Sequence, residues 1–364
     1  MILSNLTKNR QIIVGLDLSD RSIKVIGLKK KNQQAVLSFH QRNEIVEKVI
    51  EHGQIKDKMK LTEIVKSKIS PLVRHQECVI SLPETESFIK IIRLPKMKKS
   101  EIKKSIKWEA EANIPLSIDE VYFDWQVIHP PFLSLDEQNK YTDVLIGALP
   151  KKLVDDYLSV FKEAQIKPIA FEIESVATSR ALIKKSFSPE PIMIIDLGAS
   201  RTSFIIFAGN TLHFTTSTFD ISNEKIVDEI KTTLKISHAD ARQIKIKYGL
   251  RKNPANQAYS IIASSIQKVI QSAQKYIDFF ANKSLDGYVH QKKIKKIILT
   301  GGGSLLLDLD QFISRQLKIE VEIGNPWINF SHPPIKNNLS YPKSMSYTTA
   351  IGLALRNFTN YDQS

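Results

Sequence analysis

Two aspartates, Asp17 and Asp196, each end an apolar run and precede a short polar turn and a second apolar run. Backbone N–H groups in a tight turn of small residues can bind phosphate oxygens. A carboxylate at the end of a buried strand is costly without a partner, and Mg²⁺, which takes oxygen ligands, would supply one. The two motifs therefore predict a site for a phosphate-bearing ligand and Mg²⁺, with both aspartates facing one cleft.

A third motif is a glycine triplet, Gly301 to Gly303, which follows the apolar run 296–300 and precedes Ser304. Because these residues lack Cβ atoms, such a turn lets a nucleoside approach the backbone. Any one of the three motifs could be an ordinary strand-to-turn transition. Their combination and order resemble the way in which actin-like proteins hold ATP between two lobes.

The composition is typical of a globular protein. The chain has 364 residues, enough for two domains, with 42% hydrophobic and 25% charged residues. No apolar run approaches the ~20 residues that cross a bilayer, and the first ten residues are too polar for a secretory signal. The single cysteine, Cys78, lies in an apolar run, which predicts a buried structural thiol and a reducing compartment. The eight histidines lack metal-ligand spacing.

A net charge of +14 raises the question of an anionic partner, either nucleic acid or a membrane surface. Only Trp108, beside Lys103, Lys104 and Lys107, combines an aromatic with a basic cluster. Platforms for single-stranded nucleic acid usually contain several aromatics. We therefore expect a solvated basic face and no specific nucleic-acid partner.

Hydrophobic periodicity and turn residues predict an α/β chain in which helices cover most of the sheets. The predicted strands are 11–18, 22–28, 34–39, 77–82, 88–94, 121–128, 142–149, 167–173, 192–197, 202–207, 296–300 and 321–323. The predicted helices are 61–69, 100–113 with Ser100 as N-cap, 150–164, 174–183, most of 222–290, 305–317 and 347–357. A polar loop is expected between 128 and 142, and the proline-rich stretch 188–191 marks the boundary between two halves.

Several segments resemble those of the PilM family of pilus assembly proteins, which are relatives of the division protein FtsA. They are 14–19, 82–84, 93–95, 108–115, 124–127, 195–200, 300–304, 324–327 and 350–355. The stretch from Glu109 to Pro115 and the pair Asn325-Pro326 are the most family-specific. The resemblance covers nearly the whole chain.

The resemblance implies an actin-like (ribonuclease H-like) two-lobed α/β fold with an FtsA-type inserted subdomain. The implied parts are the first lobe core at 1–82 and 167–188, the inserted partner-binding subdomain at 83–166, the second lobe core at 189–221 and 291–364, and a helical subdomain at 222–290. Within the insertion, Trp108, Phe123, Trp125 and Phe132 are candidate groove or core aromatics.

The resemblance also implies a cytoplasmic ATP-binding scaffold of the type IV pilus, or a related pseudopilus, at the inner face of the cytoplasmic membrane. Its partner would be the cytoplasmic N-terminal tail of a PilN-like bitopic membrane protein, lying in a groove between the first lobe and the insertion. Membrane association would be indirect. Other platform proteins or a second copy of the chain are further possible partners.

Site residues follow from the same resemblance, with ATP and Mg²⁺ as ligands. Asp17 and Asp196 would face Mg²⁺, and Glu174 would position water. The remaining nucleotide contacts would be Ser19, Arg21, Ser22, Lys24, Gly198, Ser200, Arg201, Thr202, Lys245, Gly301, Gly302, Gly303 and Ser304. Two residues depart from the pattern of the superfamily, because Ser19 replaces the usual glycine and Arg242 stands where relatives often have glutamate. We therefore expect weak or absent hydrolysis.

Two alternatives stay open. One is a phosphotransferase or ATPase of the same superfamily, although no aspartate is placed by motif as its catalytic base and the P-loop sequence is absent. The other is an FtsA-like division protein. Such proteins end in an amphipathic membrane-targeting helix, whereas residues 358–364 form a short polar tail.

Overall fold

The two predicted aspartate hairpins belong to two separate five-stranded sheets. The computed structural model describes residues 12–32, 34–45, 48–128, 135–282, 293–332 and 339–358. The strands are Ile12–Leu18 (β1), Ser22–Lys31 (β2), Gln34–Glu44 (β3), Ile50–Glu51 (β4), Gln54–Ile55 (β5), Glu77–Leu82 (β6), Phe88–Pro95 (β7), Val121–Ile128 (β8), Tyr141–Pro150 (β9), Pro168–Ile173 (β10), Ser188–Leu197 (β11), Thr202–Gly209 (β12), Thr211–Thr218 (β13), Lys296–Thr300 (β14) and Glu320–Ile323 (β15). The helices are Lys58–Ile64 (α1), Ser70–Val73 (α2), Lys99–Asn113 (α3), Leu135–Lys140 (α4), Lys151–Glu163 (α5), Glu174–Leu182 (α6), Asn223–Leu234 (α7), His238–Tyr248 (α8), Tyr259–Asn282 (α9), Leu309–Leu317 (α10), Tyr341–Ser344 (α11) and Thr348–Ala354 (α12).

The two sheets repeat one topology. The first has the strand order β10-β6-β1-β2-β3, and the second has the equivalent order β15-β14-β11-β12-β13. In each sheet a central hairpin is antiparallel and its first strand also pairs with a parallel strand. Asp17 lies opposite Lys24 in the first hairpin, and Asp196 lies opposite Ser203 in the second. The repeat therefore places both aspartates at equivalent ends of their sheets.

Helices α6 and α12 pack against each other next to the first sheet. Their backbones approach so closely that a Cβ on Gly352 of α12 would lie 1.8 Å from the Ala177 carbonyl oxygen of α6. Only glycine fits at such a crossing. Arg180 of α6 also donates from Nη1 to the Gly352 carbonyl oxygen at 2.9 Å and to Glu172 of β10 at 2.6 Å. These contacts fix the helix that carries Glu174 into the cleft.

A three-stranded sheet of order β7-β9-β8 is inserted after β6. Helix α3 covers one face of this sheet through Ile102, Ile106 and Ala110, and half-buried Phe123 and Trp125 join the same core. The other candidate aromatics differ: Trp108 is exposed on the outer side of α3, and Phe132 lies outside the described residues.

Phe88, at the start of β7, pairs with Ala148, near the end of β9. The chain therefore enters and leaves the small sheet at adjacent points. The next helix, α5, buries Leu153, Tyr157 and Phe161 in the core of the first five-stranded sheet. This helix falls inside the predicted insertion 83–166 but shares the core of the first lobe. The division of the chain into four parts stays a prediction.

The second five-stranded sheet carries α7, α8 and α9, which agrees with the predicted helical stretch 222–290; residues 283–290 lie outside the described part. Their apolar faces form one core with β11, β12 and β14.

In the first sheet, Cys78 is fully buried, as predicted. Burial raises the pKa of its thiol to about 12, so the sulfur is a packing group rather than a nucleophile.

Some local predictions were wrong. Ser100 is not an N-cap: helix α3 begins at Lys99, and Glu101 Oε2 accepts a hydrogen bond from the N-cap amide of Lys98 at 2.6 Å. The helix predicted from 305 begins at Leu309, because Asp308 has a φ of 62° and ends the preceding turn. The predicted polar loop contains α4, and five further elements were not predicted at all, namely β4, β5, α2, β13 and α11.

Candidate functional site

A cleft lies between the two sheets, with a hairpin turn from each sheet in its wall. Eleven of the predicted site residues line it. They are Asp17, Ser19, Ser22, Lys24, Glu174, Asp196, Gly198, Ser200, Arg201, Gly301 and Gly302. Sequence motifs from four distant segments therefore meet in one place, as an actin-like arrangement requires.

The first hairpin presents a carboxylate that already has partners. Asp17 is buried, and Lys24 Nζ lies 2.8 Å from its Oδ2. Ser81 Oγ, at the end of β6, donates to Asp17 Oδ1 at 3.3 Å. The premise that both aspartates lack a partner without a metal ion was therefore wrong for Asp17. Lys24 places a positive charge in the cleft wall, where it could also bind an anionic ligand.

Asp196 of the second hairpin is in a different electrostatic environment. Burial raises the pKa of its carboxyl to about 6, and the charge of Asp17 acts in the same direction, although Lys24 and Arg201 oppose the shift. A cation bound beside Asp196 would stabilise its ionised form. Of the two aspartates, Asp196 is therefore the better candidate for a metal ligand. Among the described residues, no group of three or more acidic, histidine or cysteine side chains is arranged to hold a metal ion by itself.

Glu174 stands at the first turn of α6 and forms an ion pair with Arg201 from the second hairpin turn. This pair joins α6 to the second sheet. Burial raises the pKa of Glu174 to about 7, against the lowering effect of Arg201. A carboxylate held by a guanidinium has fewer free lone pairs with which to orient water.

Glu84 lines the cleft, although no role was predicted for it. It belongs to a short 3₁₀ turn after β6 and is 4% exposed. The hydroxyl of Thr215 on β13 donates to Glu84 Oε1, and Oε2 is buried with no partner among the described residues. Burial, followed by the nearby charge of Glu174, raises its pKa to about 8. Its position after a strand parallel to β1 is the sequence signal that could have identified it.

The glycine turn has both tight and open positions. Gly301 has a φ of 81°, and a Cβ there would lie 2.2 Å from Asp196 Oδ1. A Cβ on Gly302 would meet nothing within 4 Å, so its backbone faces open space. Gly303 and Ser304 lie behind this turn, where Ser304 Oγ donates to the Gly301 carbonyl oxygen at 2.7 Å.

Five predicted contacts are not in the cleft wall: Arg21, Thr202, Lys245, Gly303 and Ser304. Thr202 Oγ1 donates to the Ile221 carbonyl oxygen at 2.9 Å. Lys245 is buried, its Nζ donates to the Asn223 carbonyl oxygen at 3.2 Å, and burial lowers its pKa to about 8. Lys245 therefore supports the wall, since Asn223 itself lines the cleft.

Two arginines in the cleft wall were only partly foreseen. Arg42 of β3 and Arg242 of α8 both line the cleft, together with Glu224, Met345 and Ser346. Arg242 was noted as a departure from the superfamily, and the structure places it in the wall.

In the described part of the chain, no helix is long and apolar enough to cross a membrane.

Comparisons with known proteins agree with this geometry. A family model described as type IV pilus assembly protein PilM matches residues 15–358. A solved structure named as the PilM-PilN type IV pilus biogenesis complex is 20% identical, with a TM-score of 0.75, over 95% of this chain and 98% of that chain.

More distant structures share the fold. MreB5 of Spiroplasma citri, bound to ADP, matches with a TM-score of 0.55 and 11% identity over 94% of this chain and 95% of that chain. The ethanolamine utilization protein EutJ from Carboxydothermus hydrogenoformans matches with a TM-score of 0.54 and 14% identity over 94% and 88%. These likenesses confirm the predicted actin-like two-lobed fold.

The FtsA relationship is weaker. The cell division protein FtsA of Buchnera aphidicola subsp. Acyrthosiphon pisum (strain APS) is 22% identical over 226 residues, which are 56% of this chain and 52% of the relative. The chain thus spans about half the length of that curated relative. The PilM match, by contrast, extends over nearly all of the chain.

Proposed function

Because the chain belongs to the PilM family of type IV pilus assembly proteins, we propose that it is an ATP-binding scaffold of the pilus assembly platform. In this role it docks the cytoplasmic tail of a PilN-like membrane protein. It lies at the inner face of the cytoplasmic membrane and is held there mainly through that partner. The observation that supports ATP binding best is the convergence of both hairpin turns and the glycine turn on one cleft.

The cleft residues suit the parts of ATP. Lys24 and the turn residues Ser19 and Ser200 would bind phosphate oxygens at one end. Gly301 and Gly302, which lack Cβ atoms, would allow the nucleoside to lie against the backbone. The MreB5 structure of the same fold contains ADP, which supports a nucleotide in this type of cleft.

Mg²⁺ fits the carboxylates only with help from the nucleotide. Asp196 would bind the ion directly or through water, while Asp17 keeps its ion pair with Lys24. Mg²⁺ usually retains several waters and is bound by one or two carboxylates together with phosphate oxygens. When bound, it would neutralise phosphate charge and stabilise the ionised form of Asp196.

The likeness to a PilM-PilN complex supports a PilN-like tail as the partner. The inserted sheet offers an edge for such a tail, because β9 is the only described strand that pairs with β8 in the sheet order β7-β9-β8. An extended peptide can add to an exposed sheet edge through its main chain. Tyr122 on β8 is exposed, so side-chain contacts are available beside the edge.

Removing the small sheet tests this docking role. Since Phe88 pairs with Ala148, residues 88–148 can be replaced by a short Gly-Ser linker that keeps α5 and its buried side chains in the first core. We expect the shortened chain to lose binding of the PilN-like tail peptide in an anisotropy titration while retaining its thermal transition and ATP binding. A folded shortened chain that still binds the peptide would show that the partner site lies elsewhere.

A further inference from the structure

A short 3₁₀ turn, Glu84–Glu86, connects the first sheet to the inserted sheet and contacts the second sheet as well. It lies between β6 and β7. Its first residue, Glu84, lines the cleft, and Glu84 Oε1 accepts a hydrogen bond from Thr215 of the second sheet. The N–H and the hydroxyl of Ser87 both donate to the Glu84 carbonyl oxygen, at 2.9 and 2.8 Å. These bonds hold the turn in one shape, and its position depends on both lobes.

The turn of the first aspartate hairpin also holds this segment, through the hairpin of β4 and β5. Asp20 lies in that turn, and its Oδ2 and Oδ1 accept from the backbone amides of His52 at 3.1 Å and Gly53 at 3.0 Å. The His52 carbonyl oxygen in turn accepts from the Thr85 hydroxyl at 3.3 Å. A Cβ on Gly53 would lie 2.4 Å from Pro83 Cβ, so the hairpin packs directly on the 3₁₀ turn. A continuous set of contacts therefore leads from the cleft to the chain that enters the inserted sheet.

The second sheet makes two further contacts with the same region. The ring of Phe219, which follows β13, stacks on the ring of His52 with centroids 4.1 Å apart. Ile89 of β7 packs against a core cluster of the second sheet that includes Leu212 of β13. At its other end, the inserted sheet is joined to the first lobe, because β9 leads directly into the buried helix α5. A change in the separation of the two lobes must therefore move the inserted sheet or break these contacts.

We propose that residues 83–87, the coupling turn, link the nucleotide cleft to the β8 edge, so that nucleotide and tail bind with positive cooperativity. The inference rests on the proposed function, since it concerns the two ligands named there, and it adds that occupancy of the cleft controls docking. A nucleotide that contacts both hairpin turns would hold the lobes at one separation. It would thereby stabilise the arrangement in which Thr215 reaches Glu84.

The contact between Glu84 and Thr215 is only partly satisfied without a ligand. Oε2 of the same carboxyl is buried and has no hydrogen-bond partner among the described residues. A buried polar atom without a partner costs free energy, and separation of the lobes would relieve that cost. Bound nucleotide would offset it by bridging the lobes. A ligand with such a differential affinity shifts the population towards the arrangement that it prefers.

The tail would respond through the backbone ladder of the inserted sheet. The strands β7, β9 and β8 are paired along their lengths, so the β8 edge follows any movement of β7. A tail that adds to this edge must order the sheet relative to the first lobe. When nucleotide has already fixed the coupling turn, less ordering entropy remains to be lost, which gives positive cooperativity. We expect a gain on the order of tenfold in affinity, within the usual range of allosteric coupling.

The test is an anisotropy titration of the full chain with the PilN-like tail peptide, with and without saturating ATP and Mg²⁺. We expect the wild type to bind the peptide about tenfold more tightly with nucleotide. Saturating peptide should raise the affinity for ATP by the same factor, as linkage requires. Thr215→Val replaces the hydroxyl with a methyl group and removes the contact with Glu84. It should abolish the gain, while each ligand alone binds as in the wild type.

Two variants serve as matched controls. Thr216→Val changes the neighbouring threonine, whose side chain lies on the opposite face of β13, and it should keep the wild-type gain. Glu84→Gln keeps an oxygen that can accept from Thr215, so it should keep the gain as well. Glu84→Ala removes that oxygen and should behave like Thr215→Val.

The outcomes separate this inference from the proposed function. If both ligands bind the wild type separately but neither improves the affinity of the other, the inference is overturned and the proposed function is not. A wild-type gain that persists in Thr215→Val and Glu84→Ala would show that the coupling turn is not the link. Failure of either ligand to bind alone would overturn the proposed function, and the inference with it.

Discussion

Lys24 Nζ lies 2.8 Å from Asp17 Oδ2 at the edge of the cleft, so the first-hairpin aspartate is neutralised within its own sheet. Asp196, at the equivalent position of the second sheet, has no such lysine on its own hairpin and instead has a raised pKa. The two halves of the repeat therefore differ in charge: in the proposed function, the first would contribute a cation for phosphate and the second a carboxylate for a metal ion.

This asymmetry predicts a pH dependence of Mg²⁺ binding in the presence of ATP. The pKa of Asp196 is raised to about 6, so below that pH the ion must displace a proton. Apparent affinity for Mg²⁺ should be constant above that value and fall by roughly tenfold per pH unit below it. Calorimetric titration between pH 5 and 8 measures this. The Asp196→Asn variant corrects for protonation of the nucleotide, and an unchanged profile in that variant would contradict the assignment.

Ionisation of the buried Glu84 carboxyl should lower the free energy of unfolding at alkaline pH. The folded chain keeps its proton up to a pKa of about 8, whereas the unfolded chain loses it near 4.5. Between these values the folded state binds more protons, so stability falls as pH rises. Glu84→Gln removes the ionisation and should raise the melting temperature at pH 8 by roughly 2 °C or more, with little effect at pH 5. If the melting temperatures of the wild type and of Glu84→Gln changed in parallel with pH, Glu84 would ionise as it does in the unfolded chain, which would contradict this prediction.

The glycine turn offers a matched pair of substitutions. Gly301→Ala would bring a Cβ against Asp196 and force alanine into a positive φ, which should destabilise the chain by about 1–3 kcal/mol and impair ATP binding. Gly302→Ala has open space around the added methyl group. It should leave the free energy of unfolding unchanged and act only on nucleotide affinity. An equal change in the free energy of unfolding for the two variants, measured by urea titration, would contradict this difference between the two positions.

ATP turnover should be slow. Glu174 is held by Arg201, and Ser19 adds a side chain to the first phosphate turn, so neither residue is arranged to activate water. We expect phosphate release far below 1 s⁻¹, the low end of ordinary enzymes, and little change in Glu174→Gln. Steady release at or above that rate, abolished by Glu174→Gln, would instead identify an ATPase.

The sequence was sufficient to identify the PilM family, the actin-like fold and most of the cleft. The two aspartate hairpins and the glycine turn are local patterns whose register follows from alternation and turn chemistry. Asp17, Lys24 and Ser22 share the cleft because they stand at the ends of paired strands. Arg21, in the turn between these strands, was included with them but does not reach the cleft wall.

Residues contributed by distant segments were harder to find. Glu84 accepts a hydrogen bond from Thr215 of β13, a strand that was not predicted from the sequence. Ion pairing of Asp17 likewise depends on a side-chain geometry that the pattern does not specify. Helix α5 looks like part of the insertion in sequence, but its apolar face packs on the first sheet.

The most direct test of the central claim is calorimetric titration of ATP with Mg²⁺ into the wild-type chain and into the Asp17→Ala/Asp196→Ala double variant. We expect saturable binding with one site in the wild type and a loss of at least tenfold in affinity in the double variant, whose thermal transition should remain cooperative. Wild-type affinity no better than that of a folded double variant would contradict nucleotide binding in this cleft.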